Sequence, residues 1–288
     1  MDYEAALAKL HSLTSFGIRP GLSRVRELLC RLGGPELDKN IHYIHIAGTN
    51  GKGSCGAMLE SILRAAGVKT GFFSSPHLLH HCERYRIDGR PLPDADFARL
   101  FTLVWEKIGD MERAGSELPT EFEAVTALSL LAFQEAGVEW AVMECGLGGL
   151  YDSTNVINAE LALITNVGLD HMDYLGHSIP EIAAQKAGII HDGQTVVTAA
   201  AGEALAVIEE RALEHGGRLL VADRDFEARI SGFGFSDRGF SLDIDCHDRS
   251  YHDLDLPLLG LHQLTNAACS VPFSSSTAAK TPPWCAKP

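Results

Sequence analysis

Residues 41–54, which read IHYIHIAGTNGKGS, decide the fold that this sequence predicts. The first seven of them form a short apolar run, which is typical of a buried β-strand. The glycines that follow let the backbone curl, and residues 54–66 then have the apolar spacing of an α-helix that ends at Gly67. Since the N-terminus of a helix attracts negative charge, this strand, turn and helix predict a phosphate-binding loop.

Two side chains of the loop suit a nucleoside triphosphate. Lys52 can neutralise the β- and γ-phosphates, and Ser54 offers a hydroxyl that suits Mg²⁺. The loop is a variant of the pattern GxxxxGK[ST], because Gly53 separates Lys52 from Ser54 and Ala47 takes the place of the first glycine. The alternative is a glycine-rich turn between a strand and a helix that binds no ligand.

Strands and helices alternate around this loop. The alternation runs from about residue 41 to about residue 222 and predicts an α/β fold of the phosphate-loop type, with a mostly parallel sheet and helices on both faces. Further strands are predicted at 68–74, 139–145, 161–167, 194–199 and 218–222. Further helices are predicted at 4–14, 22–32, 94–115, 121–136, 179–188 and 203–215.

The pattern changes after residue 225. Residues 226–256 alternate apolar residues with Gly and Asp turns, which predicts a small antiparallel β element. Residues 256–269 predict a turn that leads into a helix. The last stretch, 272–288, begins with a proline and has no periodicity, so we expect a disordered or aberrant tail.

Composition limits the classes of function. The formal net charge is −14, from 24 Lys and Arg against 38 Asp and Glu, which disfavours nucleic acids and anionic membranes as partners. The seven cysteines are scattered without CxxC spacing, which indicates free thiols in a cytoplasmic protein. No apolar run approaches the length of about 18 residues that a membrane span needs.

A carboxylate and an imidazole follow two other predicted strands. Glu144 closes one strand, and His171, with Asp170 beside it, follows the next. Open α/β sheets bind ligands at the carboxyl ends of their strands, so Glu144 is a candidate Mg²⁺ ligand and His171 a candidate ligand of a second metal. The alternatives are an acid that caps backbone amides and a structural histidine.

Lys186 lies in the predicted helix 179–188 on a largely apolar face. Such a lysine can simply extend its ammonium group to solvent, and the residues alone favour that interpretation. The GLGG stretch at 146–149 is not a GxGxxG motif, so a dinucleotide site is only weakly indicated.

Together these segments resemble the folylpolyglutamate synthase and dihydrofolate synthase family of the Mur ligase superfamily. The combination of GTNGKGS, SSPHL and GLGGxxDSTN is the most specific part of the likeness, which runs from about residue 10 to about residue 270. The matching stretches are SFGIRPGLSRVRELL, HIAGTNGKGS, FFSSPHL, ERYRIDG, PTEFEAVTALSLLAF, MECGLGGLYDSTNV, ITNVGLDHMDYLG, IAAQKAGII and GLHQLTNAA.

The resemblance implies a catalytic and metal-binding role for several matched residues. Lys52, Glu144, His171 and Lys186 would be catalytic, with Lys186 carbamylated. Ser54 and Glu144 would hold one Mg²⁺, Ser75, Glu144 and His171 a second, and the site could also take a monovalent cation. The residues that match the ATP phosphate loop are Gly48, Thr49, Asn50, Gly51, Lys52, Gly53 and Ser54.

Other matched residues imply the substrates. Positions that contact the pterin would be Thr120, Phe122, Asp152 and Ser153, with Ser75 beside them. His262, Gln263 and Asn266 match a segment near the adenine. The implied activity is ATP-dependent addition of L-glutamate to tetrahydrofolate, to dihydropteroate or to both, through an acyl phosphate, by a monomer.

The sequence departs from the family in four ways. Leu150 stands where arginine is usual, Gln185 where glutamate is common and His191 where lysine is common. The fourth departure is length, because residues 1–271 would match the central ATPase domain, and we expect the family's C-terminal domain to be absent. From this we expect weak nucleotide binding, little or no ligase activity and an exposed apolar patch near residues 256–270.

Three other interpretations remain open. The chain could be a nucleotide-binding remnant without catalysis, which the length and Leu150 favour and the retained Lys52, Glu144, His171 and Lys186 oppose. A phosphate-loop kinase or simple ATPase would leave the SSPHL and DSTN segments without a role. A Mur-type ligase for another acid is the third, although such enzymes usually lack the extra glycine before the loop hydroxyl.

Overall fold

The apolar run before the glycine loop forms a central strand, β1 (His42–Ala47). It pairs in parallel with β5 (Trp140–Glu144) on one side and with β6 (Leu161–Ile164) on the other. Because β1 is covered by helices or sheet on both faces, its inward side chains Ile44 and Ile46 are fully buried. The parallel pairing also brings the carboxyl ends of all three strands to one edge.

The computed structural model describes residues 1–34, 40–236, 239–246 and 249–271. The expected disorder of 272–288 therefore lies outside the described residues. Within the described part of the chain, no helix combines the length and apolarity needed to cross a membrane.

Among the described residues, the main sheet has eight strands in the order β4-β3-β2-β5-β1-β6-β7-β8. The parallel strands confirm the predicted sheet, although each is one to several residues shorter than its apolar run. The edge strands β3 and β4 run antiparallel and were not predicted, because two or three residues carry no periodicity. The remaining strands are β2 (Thr70–Phe73), β3 (Tyr85–Ile87), β4 (Arg90–Pro91), β7 (Thr195–Thr198) and β8 (Arg218–Val221).

Helices cover both faces of this sheet, as predicted. One face packs against α1 (Tyr3–Ser12), α2 (Ser23–Leu32), α4 (Asp94–Arg113), α5 (Glu121–Ala136), α7 (Ile179–Ala187) and α8 (Gly202–Glu214). The opposite face packs against α3 (Lys52–Ala65) and α9 (His262–Ser270). The side chains of β1 alternate between these two layers, which is the periodicity of a strand buried on both sides.

A separate three-stranded antiparallel sheet follows the main sheet, which confirms the predicted element near 226–256. Its strands are β9 (Phe226–Ser236), β10 (Gly239–Cys246) and β11 (Arg249–Leu256), in the order β11-β10-β9. Helix α9 lies between this small sheet and α3, and its residues pack against both. The small sheet therefore supports α9 where α9 meets the glycine loop.

Candidate nucleotide and substrate site

The glycine loop connects β1 to α3 and has the backbone conformation that its sequence predicts. Gly51 has a left-handed φ of 85°, and α3 begins at Lys52, two residues before the predicted start. Gly48 has φ 152°, and a Cβ atom there would lie only 1.9 Å from Thr165 Oγ1. The loop thus needs glycine both for its backbone angles and for its close approach to the next strand end.

The segment after β6 holds the loop from one side. Asn166 Oδ1 accepts a hydrogen bond from Asn50 N–H at 3.0 Å, and Asn166 Nδ2 donates to Asn50 O at 3.0 Å. Thr165 Oγ1 donates to the same carbonyl at 2.6 Å, and Gly168 N–H donates to Thr49 Oγ1 at 2.9 Å. Sequence reasoning missed Thr165 and Asn166, although both lie in the ITNVGLDH stretch beside the loop.

Helix α9 holds the loop from the other side. Gln263 Nε2 donates to Ser54 Oγ at 3.3 Å, and Asn266 Nδ2 donates to Gln263 Oε1 at 2.9 Å. A Cβ atom on Gly51 would lie 2.5 Å from Asn266 Oδ1, so this contact is close. Gln263 and Asn266 are therefore placed at the loop, whereas His262 is exposed and lies against Gly260.

Lys52 lies folded onto its own loop. Its Nζ donates to Gly48 O at 2.9 Å and to Thr49 O at 3.5 Å. These carbonyls hold the ammonium group at the place where the loop turns. A phosphate that entered the loop could attract the ammonium away from them, because the charged oxygen is the stronger acceptor.

Glu144 is a buried carboxylate at the end of β5, only 5% exposed. Among the described residues it accepts one hydrogen bond, from Ser75 N–H at 3.4 Å, and its Oε2 would lie 3.7 Å from a Cβ on Gly53. Burial raises the pKa of Glu144 to about 7, an effect that the charge of Lys52 opposes. A buried carboxylate with so few partners fits a divalent cation, which would compensate its desolvation.

Lys186 is buried in α7, with 3% of its surface exposed, so its ammonium group does not extend to solvent. Burial lowers the pKa of Lys186 to about 8, and the charge of Lys52 lowers it further. The interpretation that Lys186 extends its ammonium group to solvent, which the sequence alone favoured, is therefore wrong. The charge of Asp170 raises the pKa and so partly opposes the effect of burial.

His171 precedes the short helix α6 (Met172–Leu175) with a left-handed φ of 50°. Its side chain is half exposed, and its Nε2 lies 3.7 Å from Asp170 Oδ2. The structure brings His171 and Ser75 to the same cleft. Ser75 in turn donates its backbone N–H to Glu144, whereas Glu144 does not line this cleft.

That cleft has a volume of about 560 Å³. All four predicted pterin-contacting residues line it, namely Thr120, Phe122, Asp152 and Ser153. Thr120 also caps α5, since its hydroxyl accepts a hydrogen bond from Glu123 N–H at 3.3 Å. Sequence reasoning missed several lining residues that come from segments far apart in the chain, including Ile18, Arg19, Arg84, Leu147, Tyr151 and Tyr174.

A second cavity of about 530 Å³ lies on the other side of the Ser75–Pro76 segment. It is lined by Gly53 of the loop, by Glu144 and by Arg86. The Ser75–Pro76 segment lines both cavities, so it forms the wall between the loop side and the cleft side.

The three departures from the family pattern have distinct positions. Leu150 donates its backbone N–H to Gln185 O at 2.8 Å, and only Gln185 of this pair lines the cleft. His191 Nε2 lies 3.0 Å from Asn155 Oδ1, and Asn155 Nδ2 donates to Gly188 O at 3.1 Å. Two cations, Arg19 and Arg84, line the cleft although position 150 carries none.

Comparisons with known proteins agree with this architecture. The Mur ligase middle domain family matches residues 46–273. The dihydrofolate synthase/folylpolyglutamate synthase of Bacillus subtilis is 39% identical over 276 residues, which is 93% of this chain and 62% of that protein.

Two solved structures are similar throughout. Escherichia coli FolC in complex with DHPP and ADP has a TM-score of 0.81 and 31% identity, over 93% of this chain and 61% of that one. The Mycobacterium tuberculosis folylpolyglutamate synthase complexed with ADP and AMPPCP has a TM-score of 0.84 and 33% identity, over 94% and 62%. The chain thus spans about three fifths of the length of these relatives.

The fold and the loop define an α/β protein with a phosphate loop at the carboxyl edge of a parallel sheet. More narrowly, the chain belongs to the Mur ligase middle domain family, and its likeness to folylpolyglutamate and dihydrofolate synthases is confirmed. Residues 1–271 as a single ATPase domain, and the roles of the individual site residues, remain predictions.

Proposed function

We propose that this chain carries the ATP- and pterin-binding site of a ligase that forms an amide between L-glutamate and a folate or dihydropteroate carboxylate. One observation carries the proposal. Ser75 donates its N–H to Glu144 beside the phosphate loop and also lines the cleft with Asp152 and His171. A nucleotide on the loop and an acid in the cleft would therefore meet at Ser75.

In this reaction the acceptor carboxylate attacks the γ-phosphorus of ATP, and ADP leaves. The amino group of glutamate then attacks the acyl phosphate, phosphate leaves and the amide forms. ATP is required because a carboxylate is a poor electrophile. Lys52 and the loop N–H groups would stabilise the negative charge on the transferred phosphoryl group.

Magnesium is the implied metal, and the donor set fits it. Ser54 and Glu144 would hold one ion, and Ser75, Glu144 and His171 a second. Bound Mg²⁺ supplies charge compensation to the phosphate oxygens. Glu144 must be ionised to bind it, so a pKa of about 7 makes metal binding sensitive to pH near neutrality.

Lys186 would act as a carbamate. Carbamylation needs the neutral amine, and a pKa of about 8 leaves an appreciable neutral fraction at neutral pH. The product would place an anion, instead of a buried cation, toward the metal-binding region. This converts an unfavourable repulsion between Lys186 and Lys52 into an attraction.

The relatives support the choice of ligands. Escherichia coli FolC was solved with DHPP and ADP, and the Mycobacterium tuberculosis enzyme with ADP and AMPPCP.

A nucleotide-binding protein without catalysis is the second candidate. It is favoured by Leu259 and Leu261, which are 75% and 69% exposed beside α9 and so leave an apolar patch uncovered. We also propose that the protein is a cytoplasmic monomer.

Calorimetric titration of the purified 288-residue chain tests the proposal. AMPPCP with Mg²⁺ and dihydropteroate should each bind, and dihydropteroate should bind more tightly when AMPPCP is present. Absence of dihydropteroate binding would contradict the proposal. Formation of dihydrofolate from ATP, glutamate and dihydropteroate would exclude the second candidate, a nucleotide-binding protein without catalysis.

A further inference from the structure

A chain of buried polar groups runs from the centre of the sheet to the cleft. It begins at His45 of β1, whose side chain is completely buried, and ends at Asp152. His45 Nε2 lies 2.8 Å from Thr154 Oγ1, and Thr154 Oγ1 lies 2.5 Å from Asp152 Oδ1. The thiol sulfur of Cys145 is also 3.1 Å from His45 Nε2.

The hydrogen-bond donors fix the direction of this chain. Burial raises the pKa of Asp152, but its carboxylate accepts backbone N–H groups at both oxygens, from Thr154 at 3.0 Å and from Leu147 at 2.8 Å, and these hydrogen bonds favour the ionised form. Thr154 therefore gives its only hydroxyl proton to Asp152. The hydroxyl oxygen is then an acceptor, so His45 must carry its proton on Nε2 and donate it.

The same assignment explains an otherwise unusual feature of His45. Its Nδ1 is buried and has no hydrogen-bond partner among the described residues. In the tautomer protonated at Nε2, Nδ1 is an unprotonated acceptor, and no donor proton is left unsatisfied. A missing acceptor contact costs less than a buried N–H without a partner.

We propose that His45 is a positioning residue, which through Thr154 holds Asp152 as an ionised acceptor for an N–H donor of the substrate. Both acceptor positions of Asp152 Oδ1 are occupied by Thr154, and Leu147 occupies one position of Oδ2. The Gly146 backbone N–H also contacts the carboxylate, so a ligand N–H in the cleft that Asp152 lines would share the carboxylate with these backbone donors. Without His45, the Thr154 hydroxyl could turn toward Cys145 Sγ, which lies 3.6 Å away. The identity of the ligand as a pterin rests on the proposed function.

Substitutions at position 45 test the positioning role, with dihydropteroate as the probe. His45→Leu removes the donor, whereas His45→Gln keeps an amide N–H at about the reach of Nε2. We expect dihydropteroate to bind about tenfold more weakly to His45→Leu and within about threefold of the parent in His45→Gln. AMPPCP affinity should change by less than about twofold in both.

A matched control separates this effect from the loss of any buried histidine. His81 is 3% exposed and bonds Tyr85 through Nε2 at 3.1 Å, outside both cavities. His81→Gln should lower the melting temperature without weakening dihydropteroate binding. If His45→Gln binds dihydropteroate as poorly as His45→Leu, or if His45→Leu binds it normally, the positioning role is wrong.

A second measurement does not depend on the ligand. Long-range ¹H–¹⁵N NMR spectra of the ligand-free parent, assigned by comparison with His45→Gln, report which nitrogen of His45 carries the proton. We expect Nε2, with a resonance that shifts in Thr154→Val. A proton on Nδ1 would overturn the inference. If the parent fails to bind dihydropteroate but shows this tautomer, the proposed function is wrong and the hydrogen-bonded chain stands.

Discussion

The two sides of the Ser75–Pro76 wall are built in different ways. On the loop side, the proposed phosphate-binding groups belong to one short run, 47–54, which neighbouring segments hold in place, and β5 adds the carboxylate of Glu144. On the cleft side, the lining comes from several segments that are spread between residues 14 and 185. A substitution on the loop side should therefore alter nucleotide binding through the loop backbone or through one charge. A substitution on the cleft side should alter substrate binding through the hydrogen bonds of the lining residues.

The largest effect on this comparison should come from Lys52→Ala. Lys52 is the one cation of the loop itself, and its ammonium would bind the triphosphate by charge-assisted hydrogen bonds. We expect the affinity for AMPPCP with Mg²⁺ to fall about a hundredfold, measured by calorimetry. Dihydropteroate binding should be unchanged. Lys107→Ala, at a half-buried position of α4, is the control and should bind AMPPCP normally.

Gly48→Ala tests whether the backbone conformation of the loop at Gly48 is required for stability and for nucleotide binding. The added Cβ would lie 1.9 Å from Thr165 Oγ1, and the loop would have to move away from the segment that holds it. We expect the free energy of unfolding to fall by about 2–3 kcal/mol and AMPPCP affinity to fall about tenfold. The measurements are urea unfolding and calorimetry.

The control for that change is Gly137→Ala. Gly137 also has a left-handed φ, 64°, but it ends α5 where a Cβ would contact nothing within 4 Å. Its loss should cost about 1 kcal/mol of stability and leave nucleotide binding intact. Equal nucleotide affinities in the two variants would mean that the contact with Thr165 does not shape the loop.

The two sides also differ in how far the sequence predicts them. The loop could be predicted from residues 41–66 alone, because glycines, a lysine and a helix start lie within a few positions of one another. Glu144 and His171 could be placed at the same edge of the sheet, because parallel pairing brings strand ends to one edge. The burial of Lys186 could not, because an apolar helix face does not say how deep its one amine lies.

The cleft was predictable only through the family resemblance. Arg19, Arg84 and Asp152 all line it, and no periodicity in the sequence relates segments so far apart. The hydrogen bonds that link His45 to Asp152 could not be predicted for the same reason, since His45 is more than 100 residues from Thr154. The edge strands β3 and β4 were too short to produce a pattern.

Glu144→Gln tests the buried carboxylate beside the Ser75–Pro76 wall, both for its effect on stability and for its effect on metal binding. The pKa of Glu144 is about 7 in the folded protein and near 4.5 when exposed, so the folded state holds its proton longer. As pH rises between these values, the unfolded state loses the proton first, and the folded state becomes less stable. The stability advantage of Glu144→Gln over the parent should therefore be about 2 kcal/mol larger at about pH 8 than at about pH 5.

Urea unfolding of the ligand-free proteins at the two pH values measures this difference. Glu112→Gln, at an exposed position of α4, is the control and should show no such change. Glu144→Gln should also lose the Mg²⁺ dependence of AMPPCP binding. A pH-independent stability difference would show that the carboxylate is not held in a desolvated place.

The smallest expected effect comes from the support that α9 gives the loop. Gln263 donates to Ser54 Oγ at a long 3.3 Å, whereas Thr165 and Asn166 hold Asn50 by shorter bonds on the opposite side. Gln263→Ala should therefore weaken AMPPCP binding only about threefold, and Asn166→Ala should weaken it more. If Gln263→Ala weakened AMPPCP binding as much as Lys52→Ala, then α9 would belong to the nucleotide site rather than to its support. Residues 47–54 would then not be sufficient to bind the nucleotide.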